Sequence, residues 1–290
     1  IIDRLIKIGI DVRIGHNIKN VDEAEIVVIS SAICSKNIEL KEARRKKIPV
    51  VSRSEILAEL MRLKSNIAIA GTHGKTTTTS MVAAVLESGM LDPTVVNGGI
   101  IQAYGSNARL GEGDWMVVEA DESDGTLIKI PSTISIVTNL DPEHLDHYGS
   151  FAALKRTFLK FLNNIPFYGV AICFIDHPEV KKLIFKIKDR RILTYGFSCE
   201  ADFQIQNLEY SKNKAFFQIY KKQNGQRFNL ELPMYGDHNV ANAAAAVTVA
   251  LYLKISLKNI KKGLKSFKGV KRRFTKVCKW NGIDIIDDYA

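Results

Sequence analysis

At 290 residues, 46% hydrophobic and 25% charged, the chain has the balance of a folded protein of about two domains, which excludes a disordered, collagen-like or coiled-coil polymer. Lys and Arg number 41 against 31 Asp and Glu, a net charge of +10 that suits phosphorylated ligands, but the basic runs 41–47 and 258–268 lack interleaved aromatics and read as solvated helix faces, not a nucleic-acid surface. The densest apolar stretch, 240–253, contains Asn242 and Thr248 and is shorter than the roughly 18 residues a membrane span needs, and the four scattered cysteines without a CxxC pair fit a reducing cytoplasm.

In chain order, residues 25–29 (EIVVI) read as a strand, 40–47 as a helix, 49–52 (PVVS) as a second strand and 53–63 as a helix, which together make a parallel α/β unit. A polar break at 64–66 marks a domain boundary near Lys64. Beyond it come a strand at 67–70 (IAIA), a helix at 76–87, strands at 115–118 and 134–138, a helix at 151–162 and a strand at 169–175, a doubly wound pattern. Alternation in 202–210 and 215–220 predicts an antiparallel hairpin, 223–225 turns into a further strand, and an Ala-rich helix at 240–253 closes the unit. Near Gly269 the pattern resets into a hairpin-like stretch. The first residue is Ile1, and 283–290 (IDIIDDYA) reads as a buried strand breaking off, so the chain is expected to be an internal piece of a longer protein.

Residues 71–79 (GTHGKTTTT) follow a strand and open a helix, the setting in which backbone N–H groups and a helix N-terminus cradle a triphosphate. The spacing GxxxxGK[ST] is not met, because Ile69 stands where the first glycine belongs; Gly71 supplies the tight turn instead. Lys75 would reach the β and γ phosphates and Thr76 would ligate Mg²⁺. Two further strand ends carry polar groups: 119–124 (EADESD), whose carboxylates suit a hard cation, and 138–147 (TNLDPEHLDH), offering Asn139 as a polar contact and His144 as a ligand or acid/base. His144 and His147 are three apart, but HLDH lacks the HExxH order of a zinc site. Residues 236–242 (GDHNVAN) read as a helix cap, or as a set in which His238, Asn239 and Asn242 face a planar base.

GTHGKTTTT, EADESD, TNLDPEHLDHY, FYG, YGDHNVANAAAA, GVKRRF and DDYA, in that order along essentially the whole chain, resemble the Mur ligase family of ATP-dependent amide ligases in peptidoglycan synthesis, and most of all its alanine-adding branch. The resemblance implies a central P-loop parallel-sheet ATPase domain (65–269), preceded by a partial Rossmann-like UDP-binding domain (1–64) and followed by the start of a C-terminal α/β domain that binds the amino acid (270–290). It implies ATP and Mg²⁺ as cofactors, UDP-N-acetylmuramate and L-alanine as substrates, and the bacterial cytoplasm as location. Residue by residue it places Gly71, Thr72, His73, Gly74, Lys75, Thr76 and Thr77 at the phosphates, and Thr76, Glu119 and His144 on the metal. It counts Asn139 with Lys75, Glu119 and His144 as the catalytic set. His238, Asn239 and Asn242 would hold adenine, and Arg273, Asp288 and Tyr289 would reach the nucleotide from beyond the hinge. His16, Ser30, Ser31 and Arg53 would form part of the UDP-sugar surface. The resemblance leaves as an alternative the related branch that adds a ready-made tripeptide and shares the GTHGKT loop, and from the residues alone a phosphate-loop kinase, a simple NTPase and a non-catalytic nucleotide-binding piece remain open.

Overall fold

The structure, a computed structural model, describes residues 2–30, 32–123, 126–272 and 275–288. The chain divides into two compact units, 1–60 and 61–290, a few residues before the polar break at Lys64; residues beyond 270 fall within the second unit.

In the first unit, helix α1 (Ile2–Lys7) precedes strand β1 (Val27–Ile29), helix α2 (Ile38–Arg45), strand β2 (Val50–Ser52) and helix α3 (Arg53–Met61). The strands pair in parallel, Val27 with Val50 through Ile29 with Ser52, as a βαβ crossover requires. Asn37 starts α2 by accepting hydrogen bonds from the backbone N–H of Glu39 and Leu40, which satisfies two of the orphan donors of the first turn. Leu40 and Ala43 turn inward, and the charged run around Arg44 and Arg45 stays exposed.

The second unit runs β3 (Ser65–Ala70), α4 (Lys75–Ser88), β4 (Thr94–Ile101), β5 (Ser106–Arg109), β6 (Trp115–Glu119), β7 (Ile134–Val137), α5 (Leu145–Tyr148), α6 (Phe151–Asn163), β8 (Val170–Phe174), α7 (Pro178–Ile184), β9 (Arg191–Gly196), β10 (Phe203–Ser211), β11 (Lys214–Lys221), β12 (Gln226–Leu232), α8 (Asp237–Tyr252), α9 (Leu257–Lys265), β13 (Thr275–Trp280) and β14 (Ile283–Asp287). Among the described residues ten strands form one sheet in the order β12-β11-β10-β9-β8-β7-β3-β6-β4-β5. From β4 across to β10 neighbouring strands are parallel, and the antiparallel pairs β4–β5, β10–β11 and β11–β12 finish the two sides. Central β3 lies between β6 and β7, with Ile67, Ala68, Ile69 and Ala70 fully buried, the continuous apolar run of a strand covered on both faces. Because β6 and β7 both come later in the chain and flank β3 on opposite sides, the crevice at the C-terminal end of β3 is a topological switch point, where α/β sheets collect ligands.

Helix α4 packs against α8 and α9. Residues Ala243, Ala244, Ala245 and Ala246 of α8 have no exposure at all, and their small side chains let the helix lie close to its neighbours. This helix begins at Asp237, three residues before the apolar run, with Gly236 as an N-cap that offers no side-chain hydrogen bond. The cap read into 236–242 thus falls on Gly236, while Asp237 and Asn239 lie inside the first turn, where Asp237 accepts a hydrogen bond from the Tyr210 hydroxyl. A correction concerns the C-terminal stretch. Ile283–Asp287 is a strand, paired with β13, but Ile283, Ile285 and Ile286 are exposed and not buried, because a two-stranded hairpin gives them no covering layer.

Candidate nucleotide site at the end of the central strand

Three segments meet where β3, β6 and β7 end. The first is the turn from Gly71 to Gly74 between β3 and α4. Gly71 has φ +144°, and a Cβ there would collide with Thr138 Oγ1, while Gly74 has φ +79° and a Cβ on it would sit 2.7 Å from Asn242 Oδ1. Both positions demand glycine, for backbone conformation and for space. Asn242 of α8 thus lies against the turn. Asn239 instead donates from Nδ2 to the Tyr235 carbonyl at 2.7 Å and is buried, and His238 is exposed and folds back over Gly236.

The second segment follows β7 and grips the turn from behind. Asn139 accepts from the His73 N–H at 2.7 Å and donates to the His73 carbonyl at 2.9 Å; Thr138 Oγ1 donates to the same carbonyl at 2.7 Å. One residue earlier in the turn, the Thr72 hydroxyl accepts from the Asp141 N–H at 2.8 Å. Asn139 therefore spends both ends of its amide on the backbone of residue 73, which makes it a positioning residue for the turn. Asp141 also lies between His73 Nε2 at 3.6 Å and His177 Nε2 at 3.3 Å.

The third segment is the end of β6. Glu119 accepts from Thr76 Oγ1 at 3.1 Å and from the Gly98 N–H at 2.7 Å, so the carboxylate and the hydroxyl expected on a metal already touch. Three residues on, Glu122 is 1% exposed and pairs with Lys75, Nζ to Oε1 at 2.6 Å; His144 Nε2 lies 3.8 Å from the same oxygen. Burial pushes the Glu122 carboxyl above its ordinary range against the opposing pull of Lys75. Lys75 also donates to the carbonyls of Gly71 at 2.7 Å and Thr72 at 3.2 Å. Hence Glu122, which sequence reasoning did not single out within EADESD, joins Lys75 to His144, while Glu119 meets the same turn through Thr76. Thr138, Asp141 and His177 were also missed; the first two stood in the TNLDPEH motif, whereas nothing local marked His177.

His144 stands at φ 54°, ψ 33°, a left-handed conformation costing roughly 1 kcal/mol for a side-chain-bearing residue, immediately before α5. His147 is exposed and stacks edge-on against Tyr148. Thr77 is buried in the first turn of α4. In the first unit His16 Nδ1 is bound to Glu39 Oε2 at 2.6 Å, and exposed Ser30 and Arg53 directly follow the parallel strands β1 and β2. Asp288 is exposed just past β14; Ser31, Asp124, Arg273 and Tyr289 lie outside the described residues. No helix among the described residues is long and apolar enough to cross a membrane.

The Mur ligase middle domain profile matches residues 69–250, and that of the Mur ligase family catalytic domain matches residues 1–65. The chain belongs to the Mur ligase family. Among curated members, the UDP-N-acetylmuramate--L-alanine ligase of Roseobacter denitrificans is 56% identical over 99% of this chain, and that of Rhizobium etli 54% identical over all of it; the chain spans 62% of the length of each. Among solved Mur ligases, the UDP-N-acetylmuramate-alanine ligase of Thermotoga maritima superposes with a TM-score of 0.85 at 28% identity, over 99% of this chain and 65% of that one. A Neisseria ligase for UDP-N-acetylmuramate and a tripeptide superposes with a TM-score of 0.82 at 24% identity, over 93% of this chain and 87% of that one, a likeness of fold.

Proposed function

We propose that this chain is the nucleotide-binding part of an ATP-dependent ligase that joins L-alanine to the lactyl carboxylate of UDP-N-acetylmuramate. The observation that supports it most is the convergence of Lys75 and Thr76, Glu119, and the 138–144 segment at one switch point, in a chain whose relatives at over 50% identity are named for that reaction. In this reading the carboxylate attacks the γ phosphate of ATP to give an acyl phosphate and release ADP, and the alanine amine then displaces phosphate, losing a proton, to close the amide.

The donor set fits Mg²⁺. Thr76 Oγ1 and Glu119 Oε1 are hard oxygens 3.1 Å apart at the mouth of the turn, and no group of three or more His, Cys, Asp or Glu among the described residues forms a closed cage. Mg²⁺ favours that arrangement, taking few protein ligands and leaving its other positions to water and phosphate oxygens. The bound ion supplies charge neutralisation when two anions must meet. For its part the chain would orient the triphosphate with the backbone N–H groups of 71–77 other than that of His73, which Asn139 holds, at the N-terminus of α4, and the 138–141 segment holds that turn in shape. Lys75 would contribute a positive charge that strengthens its contacts as the phosphoryl group transfers, and His144, with Nε2 3.8 Å from Glu122 Oε1, is the third metal ligand that the resemblance implies. Ser30 and Arg53, each just after a parallel strand, would meet the UDP-sugar.

The test is alanine-dependent phosphate release from ATP with UDP-N-acetylmuramate, made on this chain extended to the full length of its relatives. Release that ignores alanine would make it an NTPase, and a stable phosphorylated sugar would make it a kinase.

A further inference from the structure

Lys75 is fully occupied. Its ammonium has three N–H donors and three acceptors: the carbonyls of Gly71 and Thr72 and Oε1 of Glu122, at 2.7, 3.2 and 2.6 Å. No donor remains for a phosphate oxygen unless one of these partners is released, and the two carbonyls belong to the turn that cradles the phosphates. Glu122 is the exchangeable one. It is also unusually placed, a carboxylate 1% exposed whose second oxygen, Oε2, is buried without a hydrogen-bond partner among the described residues. Such an atom is costly to keep, and in a native fold it needs a reason. Among the described residues, Lys75 at 2.6 Å and His144 at 3.8 Å are the cationic or potentially cationic side chains within ion-pair distance of Oε1.

We infer that Glu122 is a built-in counter-ion that occupies the anion position of the phosphate loop, so that nucleotide binding proceeds by exchange of this carboxylate for phosphate on Lys75. The inference rests on the nucleotide reading of this site. Glu122 is a positioning residue: it holds Lys75 folded onto the turn and keeps a buried charge paired while no phosphate is bound. Its movement is coupled to its neighbours, because the Tyr148 hydroxyl donates to the Glu122 carbonyl and Tyr148 ends α5, the helix that begins directly after His144. Withdrawal of Glu122 from Lys75 would therefore be transmitted to the segment that carries the proposed metal ligand.

An anion that competes for Lys75 weakens phosphate binding, so removing its charge must strengthen it. Glu122→Gln keeps size and hydrogen-bonding capacity but replaces a charge-assisted contact with a neutral one. The expected result is affinity for a β,γ-imido ATP analogue and for inorganic triphosphate about five- to tenfold tighter than in the parent chain, with affinity for adenosine unchanged, because adenosine does not touch Lys75. Glu122→Asp, which keeps the charge but draws it back by one methylene, should shift both phosphate ligands the same way by a smaller factor. Calorimetry on the 290-residue chain reads all of these, with urea unfolding run alongside. A parent that binds the analogue while both variants bind it equally or more weakly would overturn the counter-ion role and leave the nucleotide site standing. A parent and variants that all fail to bind either phosphate ligand would overturn both. Tightening that extends equally to adenosine would mean a general loosening of the fold and would also refute the exchange.

Discussion

Asn139→Ala isolates the device that shapes the phosphate-binding turn. The side chain bridges both backbone groups of His73, at 2.7 and 2.9 Å, and these contacts cross from the end of β7 to the turn after β3. At about 0.5 to 1.5 kcal/mol net for each hydrogen bond, the pair contributes about 1 to 3 kcal/mol. His73 is largely solvent-exposed, so water replaces part of this, and about 1 to 2 kcal/mol is the expected loss. If that energy holds the turn in its binding shape, the competent population falls by the same amount, and apparent affinity for the β,γ-imido ATP analogue weakens by about five- to thirtyfold. Calorimetric titration measures the affinity and urea unfolding the global stability. Affinity within about twofold of the parent, together with a loss of global stability of the expected size, would refute the reasoning, because it would place the energy of Asn139 in the fold and not in the turn.

In the chain extended to the full length of its relatives, Lys75→Ala should lower nucleotide turnover by more than about a hundredfold, on the scale of removing one preorganised charge-stabilising group, and turnover within about tenfold of the parent would contradict the assignment of the loop. His144→Ala should impair turnover far more than His147→Ala, since only His144 lies beside the Glu122–Lys75 pair; equal losses in steady-state assays would contradict that ranking. Asp92 is held below the ordinary carboxylate range, first by the backbone N–H of Glu112 and then by Arg109, so its contribution is present at neutral pH and lost as pH falls through about 4 toward the lowered folded value. Asp92→Asn should therefore reduce the urea midpoint at pH 7, with a difference that shrinks below about pH 4; a difference that grows with acidity would reverse the sign.

Much of this architecture was legible from local pattern. IAIA followed by a glycine turn and GKT specifies strand, turn and helix because each element's own preference agrees with the fold, and the alternation in 202–220 specifies a hairpin in the same way. Strand β4 was missed because its NGGI segment places two glycines and an asparagine inside a sheet, where composition argues for a loop; β9 and the seven-residue α7 were too short to show a period. The isoleucines of β14 misled in the opposite direction, since apolar content suggests burial but burial needs a facing layer, and local sequence does not encode one. At the site, the motifs located Lys75, Thr76, Glu119 and His144. They did not reveal that Asn139 turns back onto His73, or that Glu122 pairs with Lys75. Those facts depend on how three strand ends approach one another across sequence separations of 66 and 47 residues.

The central claim is that these three strand ends build a Mg²⁺-dependent triphosphate site within the chain as it stands. Calorimetric titration of residues 1–290 with the β,γ-imido ATP analogue, with and without Mg²⁺ and with Lys75→Ala as the reference, tests it most directly. The account predicts one site that needs Mg²⁺ and is lost in the variant. Binding that is indifferent to both Mg²⁺ and Lys75 would contradict it.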